Sequence, residues 1–333
     1  MKEKNKGFTL VELLAVIVIL ALIALIATPI ILNVINDAKK QAAKDSAYGY
    51  MDAVEKYIVS SELEDKSIKD GIYRVEDLNK KISVKGSTPD NGIIKIENKE
   101  VKKYDIGIDG YAVSNGKVEK VSTTKSFKNG TAVYYNPVSG EKCKSSEAVS
   151  TTGTNSGCMK WYVFNDKEGN ATVNVILDHN TTANVAWNST GSNSEMKEVK
   201  IKLEEDTKDW KNTARLITAN EVAKITGNTN WDASKESQTL FCLDTNQSDG
   251  TNHCAKTKGT SKYTWLFDYT SVCTDYGCNI SDSSNWGYWT SIPYKDNTIN
   301  VWVVNSYGSL TLDYVTRTVV GIRPVITISK SNI

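Results

Sequence analysis

The sequence predicts an α+β protein with a long N-terminal membrane-spanning helix, a small antiparallel sheet and a larger C-terminal α+β domain. Three observations predict this class: an apolar run over residues 8–32, apolar/polar alternation within 91–121, and short apolar segments separated by turns over roughly the last 200 residues. At about 1.5 Å per residue the first run would span roughly 37 Å as a helix, which exceeds the ~30 Å hydrocarbon core of a bilayer.

The flank of the apolar run predicts its orientation. Lys2, Lys4 and Lys6 precede the run, and positively charged flanks stay on the cytoplasmic side. The N-terminus is therefore expected inside and the remaining chain outside. A secretory signal peptide would have a shorter apolar core and a small-residue cleavage site after it. A plain signal anchor stays open on this evidence.

Glu12 is the unusual residue of the run, because it is a carboxylate inside a membrane-length apolar segment. On insertion scales such a charge costs about 2.5–3.5 kcal/mol, and it normally has a partner. The first helical turn eases this cost, since the positive end of the helix dipole lies there. We expect no partner within the run, so the partner must come from elsewhere. A plain anchor gives no reason for this residue.

The stretch Gly7-Phe8-Thr9-Leu10-Val11-Glu12 closely resembles the processing site of type IV prepilins and pseudopilins, a likeness that extends over roughly residues 1–60. The resemblance implies that a prepilin peptidase cuts after Gly7, that Phe8 becomes the N-methylated first residue, and that Glu12 serves filament assembly. The new ammonium group of Phe8 would pair with Glu12 of a neighbouring subunit. Opposite charges attract strongly in a low dielectric, where either charge alone is penalised.

The chain after the run predicts a pilin-like layout. An apolar stripe at helical spacing continues the helix: Ile35, Ala38, Ala42, Ala43, Ala47, Tyr50, Val54, Tyr57 and Ile58. Pro29 should kink this helix or free some of its hydrogen bonds. Residues 73–83 suggest a short helix, and 91–121 suggest strands with turns at Asn98 and Asn115-Gly116. The predicted segments are a leader (1–7), a spine helix (8–60, with 8–32 transmembrane), a head (61–121), a linker (122–131) and an outer domain (132–333).

The sequence of the outer domain predicts a hairpin over 158–180 that turns at Glu168-Gly169-Asn170. After it the sequence predicts a strand and then a helix that is capped by Thr218 and ends at Gly227. The late strands resemble the C-type-lectin-like fold shared with formylglycine-generating enzymes and with tip proteins of diversity-generating phages. The residues that carry this resemblance are Tyr288, Trp289, Trp302, the hairpin 306–309 and the segment 321–325.

The cysteines predict disulfides on the outside. All six follow the membrane run and the head: Cys143, Cys158, Cys242, Cys254, Cys273 and Cys278. Disulfides persist outside the cytoplasm. Pairing of nearest neighbours would join 143 to 158, 242 to 254 and 273 to 278, although six cysteines allow fifteen pairings. A zinc site is the rival interpretation, but C-x₂-C spacing and histidine partners are missing.

The sequence offers little support for an enzyme, a metal site, a cofactor or a nucleic-acid surface. Its two histidines are His179, for which we expect a structural role, and His253, whose neighbour Cys254 is expected in a disulfide. The calcium-binding motifs of true lectins are missing, since Ser291-Ile292-Pro293 stands where such a loop would lie. Residues 135–333 are slightly acidic, without the clustered basic face that nucleic acids require.

Aromatic residues concentrate late in the chain. We expect the tryptophans there to belong to the core, and we expect Tyr294, Tyr307 and Tyr314, which lie near turns, to face a host-surface glycan or protein ligand. The first functional hypothesis is therefore a minor pilin that carries a recognition or adhesion domain. The alternatives are a major structural pilin and a pseudopilin of a type II secretion or DNA-uptake machine. Before assembly the chain would be a single-pass protein of the cytoplasmic membrane, and afterwards part of an extracellular pilus.

Overall fold

The structure, a computed structural model, describes residues 9–64, 68–122, 125–148, 157–181, 184–244, 261–267 and 287–333. Its first element is helix α1, Leu10–Leu63, which is continuous across Pro29. The predicted spine helix is thus confirmed. Thr28, before the proline, donates its hydroxyl to the carbonyl of Ala24 at 2.6 Å. The proline itself has no N–H to give to the preceding turn.

Helix α1 has an uncovered half and a buried half. Large apolar side chains from Leu10 to Ile35 are exposed, whereas burial begins at Ala43 and continues to Ser61. The predicted stripe is correct from Ala43 onward, through Ala47, Tyr50, Val54 and Ile58. It is wrong for Ile35, Ala38 and Ala42, which are exposed. The described residues place no apolar surface over that stretch.

A five-stranded antiparallel meander covers the buried half of α1. Its strands are β1 (Gly71–Arg74), β2 (Asn91–Glu97), β3 (Glu100–Ile108), β4 (Tyr111–Ser114) and β5 (Lys117–Lys120), with helix α2 (Val75–Leu78) after β1. The predicted helix over 73–83 is wrong at its start, because Tyr73 and Arg74 pair with β2, and it ends at Leu78.

Both predicted turns of the head are present. Asn98 and Lys99 have φ of 53° and 64°, and Asn115 and Gly116 have φ of 45° and 88°. Two successive positive φ values are what a two-residue hairpin requires, and asparagine and glycine tolerate them best. The turn residues therefore set the strand pairing of this sheet.

In the part of the outer domain that the structure describes, there are two five-stranded sheets and three short α-helices. Its strands are β6 (Ala132–Asn136), β7 (Glu141–Lys142), β8 (Met159–Phe164), β9 (Thr172–Leu177), β10 (Phe241–Cys242), β11 (Gly287–Pro293), β12 (Asn300–Asn305), β13 (Ser309–Tyr314), β14 (Val320–Gly321) and β15 (Val325–Ser329). One sheet has the order β15-β9-β8-β6-β7 and the other β10-β13-β12-β11-β14. The helices are α3 (Glu198–Asp206), α4 (Ala219–Ile225) and α5 (Thr264–Phe267).

Several predicted outer elements are confirmed. The hairpin of β8 and β9 turns at Gly169, whose φ is 88°. Helix α4 begins after Thr218 with a reciprocal cap, and Gly227 follows it with φ of 84°. The strand predicted before α4 is instead a single bridge between Arg215 and Val325.

Buried tryptophans fill the outer domain, and the late ones behave as predicted. Trp289 belongs to a core shared between the two sheets, and Trp302 belongs to a second core that includes α4 and α5. Arg323 ties β9 to helix α5. It is fully buried and donates to the carbonyls of Leu177 at 2.6 Å and Leu266 at 2.7 Å. Trp286, another tryptophan of this late aromatic region, lies outside the described residues.

The head and the outer domain touch along a polar contact, here called the junction. Strand β2 lies against β9 and β3 lies against β15. A Cβ on Gly107 would approach Thr172 Oγ1 at 3.0 Å, so a glycine permits this close packing. In the segment predicted as linker, Phe127 donates its N–H to Asp166 at 2.9 Å, and Gly130 donates to the carbonyl of Val163 at 2.8 Å.

Candidate functional site

Glu12 lies in the first turn of α1 and closes a reciprocal cap with Thr9. The Thr9 N–H and hydroxyl each donate to Glu12 Oε2 at 2.8 Å, and the Glu12 N–H donates to Thr9 Oγ1 at 3.3 Å. The expectation that the run holds no partner is therefore wrong, because a threonine three residues earlier satisfies the carboxylate locally. Thr9 supplies hydrogen bonds but no positive charge to pair with the carboxylate.

The helix surface around Glu12 is apolar and uncovered. Leu10 is 82% exposed and Leu25 is 74% exposed. Within the described chain, α1 is the one helix whose length and composition suffice to cross a membrane. An apolar surface of this extent needs lipid or other helices around it. Gly7 and Phe8, the predicted cleavage and methylation residues, lie outside the described residues.

One predicted disulfide is present in full. Cys143 and Cys158 are joined, with their Cα atoms 5.9 Å apart. Cys242 is also disulfide-bonded. Cys254, Cys273 and Cys278 lie outside the described residues, so the other two predicted pairings are untested. The confirmed disulfide anchors the segment after β7 to the start of β8.

The three candidate ligand tyrosines lie at two separate ends of one hairpin. Tyr294 follows β11 and donates its N–H to the carbonyl of Asn300, and Asn300 is paired with Tyr314 across β12 and β13. Tyr307 occupies the turn at the other end of this hairpin, about seven residues and therefore roughly 23 Å from Tyr314. The structure thus brings Tyr294 and Tyr314 together and separates Tyr307 from them.

Two ionisable clusters that the sequence did not reveal lie at the junction. Buried Glu221 of α4 accepts from Arg215 Nη1 at 2.8 Å and from Nη2 at 2.7 Å, and Arg74 of the head approaches the same carboxylate at 3.6 Å. Burial alone would raise the pKa of Glu221, but the two guanidinium groups outweigh it and hold the pKa at about 2. The capping pattern from Thr218 to Glu221 was visible in the sequence, whereas the arginine partners were not.

Asp105 of β3 is the contrasting carboxylate. It is buried and accepts from the Ser114 hydroxyl at 2.5 Å and from the Thr213 N–H of the outer domain at 3.2 Å. Burial raises the pKa of Asp105 to about 6, because these neutral donors compensate the lost hydration only in part.

His179 is buried, and its Nδ1 lies 2.6 Å from a carboxylate oxygen of Asp178. This placement at the end of β9 agrees with the structural role expected for it. Among the described residues, no group of three or more histidine, cysteine, aspartate or glutamate side chains is arranged to hold a metal ion.

Comparison with known proteins identifies the N-terminal segment. Residues 2–28 match the model of the prokaryotic N-terminal methylation motif. No curated protein and no solved structure gives a significant match. The motif indicates a type IV pilin-like or pseudopilin-like prepilin, and it implies processing by a prepilin peptidase and assembly with other pilins. It also agrees with membrane anchoring through the apolar half of α1.

Proposed function

We propose that this protein is a minor type IV pilus subunit that presents its outer domain for recognition or adhesion. The observation that carries the proposal is that the methylation motif coincides with an uncovered apolar helix that has Glu12 in its first turn. The outer domain adds two complete sheets to a head that already covers the buried half of α1. A subunit that served only as a filament building block would not need this addition.

The proposal assigns a role to each N-terminal residue. The peptidase cuts after Gly7, Phe8 becomes the methylated first residue, and its ammonium group pairs with Glu12 of a neighbour in the filament. Before assembly the N-terminus is cytoplasmic and the rest of the chain is outside. After assembly the outer domain, of C-type-lectin-like fold, lies on the surface of an extracellular pilus and acts as a binding module rather than an enzyme.

Glu12 can act in filament assembly through its local cap with Thr9 or through its negative charge. Three substitutions distinguish these two contributions. Glu12→Val removes both, Glu12→Gln keeps an amide oxygen that can accept from Thr9, and Thr9→Val removes the hydroxyl while leaving the charge. We expect both Glu12 variants to insert into the membrane at least as well as wild type, because a buried charge is gone. We expect both to be largely excluded from filaments, whereas Thr9→Val should enter them.

The measurement is the amount of each variant in sheared filaments relative to the membrane fraction, with the N-terminal mass of the filament-borne chain as a second readout. A mass that starts at methylated Phe8 supports the processing step, and one that retains Met1 rules it out. Normal incorporation of Glu12→Gln would show that the charge is not the assembly determinant.

The abundance of this subunit in sheared filaments, and the phenotype of its deletion, distinguish the rival functions. A minor subunit should make up a small fraction of sheared filaments, whereas dominance in the filaments would favour a major structural pilin. Loss of secretion or DNA uptake without loss of attachment, after deletion of the chain, would favour a pseudopilin. Either of the last two results replaces the proposed function with a named alternative.

A further inference from the structure

Four lysines gather where helix α1 leaves its apolar half. Large apolar side chains are exposed as far as Ile35, and beyond it lie Lys39, Lys40 and Lys44 on α1 and Lys120 on β5. These four residues are called the basic collar below. Lys39 and Lys40 lie roughly 6–8 Å past Ile35 along the helix axis, at about 1.5 Å per residue. The headgroup layer of a bilayer is about 5–8 Å thick on each side, so a helix whose apolar half fills the hydrocarbon core holds these lysines among the headgroups.

The head brings the fourth lysine to the same level of the helix. Lys120 Nζ donates to Asn36 Oδ1 at 3.4 Å, and Asn36 directly follows Ile35 in the chain. Glu119, the neighbour of Lys120 in the strand, points to the other face of the sheet and accepts from the Ser331 hydroxyl at 2.8 Å. Two segments that are 84 positions apart therefore converge at the end of the apolar half.

The collar lysines nearest the membrane and the nearby carboxylates of α1 lie on different sides of the helix. At about 100° per residue, Lys40 lies about 40° and Lys39 about 60° from Asn36 around the axis. This is the side on which α1 is buried against the head farther along. Asp37 lies about 100° and Asp45 about 180° from Asn36. Lys39 and Lys40 therefore face the space between the head and the membrane, and the two carboxylates face away from it.

The basic collar carries positive charge that the described chain does not neutralise. None of its four ammonium groups forms an ion pair within the part of the chain that the structure describes. Lys40 and Lys44 are four residues apart on α1, and like charges at this spacing repel each other. Lys44 Nζ lies 5.8 Å from the centre of the Tyr48 ring, a contact that leaves the charge in place. Farther along the same helix, Lys56 does pair with a carboxylate, that of Asp52, at 2.5 Å. The collar therefore suits an anion from outside the chain.

We propose that the basic collar binds the phosphate groups of anionic lipids while α1 lies in a membrane. Lysine ammonium groups are compact charges that bind phosphate oxygens well. Side chains of an α-helix lean toward its N-terminus, which is the membrane side of the collar, so the lysines of α1 reach toward the lipid. Basic segments next to a membrane helix attract anionic lipids in this way. The proposal requires α1 to lie in a membrane but does not require the adhesive role of the outer domain.

Other anionic partners fit the position of the collar less well. A nucleic acid needs a basic face that is open to solvent, whereas the collar faces the space between the head and the bilayer. Carboxylates of a second subunit, such as its Asp37 or Asp45, reach the collar only after assembly into a filament. Lipid headgroups surround the collar whenever the apolar half of α1 is in the bilayer, so lipid is the partner that position alone supplies.

The test uses the full-length protein in lipid nanodiscs that contain equal amounts of phosphatidylcholine and phosphatidylglycerol. After release into detergent, native mass spectrometry counts the lipids that each chain retains. We expect a preference of at least about tenfold for phosphatidylglycerol, since every lysine near an anionic surface adds to the attraction. Replacing all four collar lysines by glutamine should abolish the preference. Replacing them by arginine should preserve it, because arginine keeps the charge.

The matched control removes the same number of charges elsewhere on the chain. It replaces by glutamine four exposed lysines of the head, namely Lys69, Lys81, Lys85 and Lys103. This variant should retain phosphatidylglycerol as the wild type does. Equal melting temperatures of the wild type and the variants establish that the fold is intact.

A second readout needs no variant. Acetylation of the collar lysines by a soluble reagent, followed by peptide mass spectrometry, should be several-fold slower in nanodiscs that contain phosphatidylglycerol than in nanodiscs of phosphatidylcholine alone. High salt should weaken this protection, because it screens the attraction. Lys81 and Lys85 are exposed and should react alike in both nanodiscs.

The proposal is overturned if the two lipids are retained equally, if the glutamine variant keeps the preference, or if the collar lysines react alike in both nanodiscs. It is also overturned if the glutamine variant keeps the lipid preference and yet fails to enter sheared filaments, because the partner of the collar is then another subunit. None of these outcomes changes the abundance or attachment measurements, so this proposal and the proposed function fail separately.

Discussion

The first half of α1 and the junction between head and outer domain are contact surfaces of opposite chemistry. Apolar side chains from Leu10 to Ile35 stand uncovered on the helix, whereas the junction buries charged groups such as Glu221 and Arg215. Among the described residues nothing covers the helix surface from Leu10 to Ile35, so we expect lipid or other subunits to cover it. At the junction Glu221 pairs with Arg215 and with Arg74 of the head inside the chain, so this contact holds the head against the outer domain.

The largest loss of folding stability is expected from Glu221→Ala. This change would leave Arg215 buried without its carboxylate partner and would remove the contact to Arg74. Breaking one partner of a buried ion pair costs about 3–5 kcal/mol. Thermal unfolding of the full-length protein in detergent, followed by tryptophan fluorescence, measures this loss. Glu76→Ala is the control at the same junction, since Glu76 lies 3.8 Å from Lys167 and 3.9 Å from Lys224 and is partly exposed. It should cost less than about 1 kcal/mol, and equal losses for the two variants would contradict the central role of Glu221.

A smaller loss of folding stability is expected when the pH is raised, because Asp105 then loses its proton. Its pKa is about 6 in the folded protein against an ordinary value of 3.8, so the folded state binds the proton more tightly than the unfolded state. Its contribution to stability is therefore full below about pH 4 and is lost as the pH rises through 6, by about 3 kcal/mol. Melting temperatures between pH 4 and 7 measure the decline. Asp105→Asn should reduce this slope, and an unchanged slope would assign it to other groups.

The smallest effect on the fold is expected in the apolar half of α1. Ile23 is 57% exposed, so Ile23→Ala should change the free energy of unfolding by no more than about 0.5 kcal/mol. The same substitution at fully buried Ile58, in the other half of the helix, should cost about 2–5 kcal/mol. Matched melting curves compare the two variants. A large loss for Ile23→Ala would mean that this half of α1 is covered within a single chain.

Local sequence patterns predicted the chemistry of the first turn of α1 better than they predicted which tyrosines lie together. Glu12 and its apolar surroundings are contiguous in sequence, so their chemistry could be recognised without knowledge of the fold. Tyr294, Tyr307 and Tyr314 were grouped because they lie near turns, but turns at opposite ends of a hairpin are far apart in space. The contacts among Trp231, Phe241 and Trp302 were missed because these rings meet only after the sheet has formed.

The sequence alone determined those features that arise from neighbouring residues: the long helix, its charged first turn, the Asn-Gly hairpin and the helix capped by Thr218. Helical spacing, capping and positive φ act over a few residues, and the side chains that cause them are adjacent in the chain. Only the tertiary structure decided which charged and aromatic groups meet. Arg323 donates to the carbonyl of Leu177 across 146 positions, and Thr213 donates to Asp105 across 108. Such pairs depend on the order and stacking of three sheets, which no local pattern encodes.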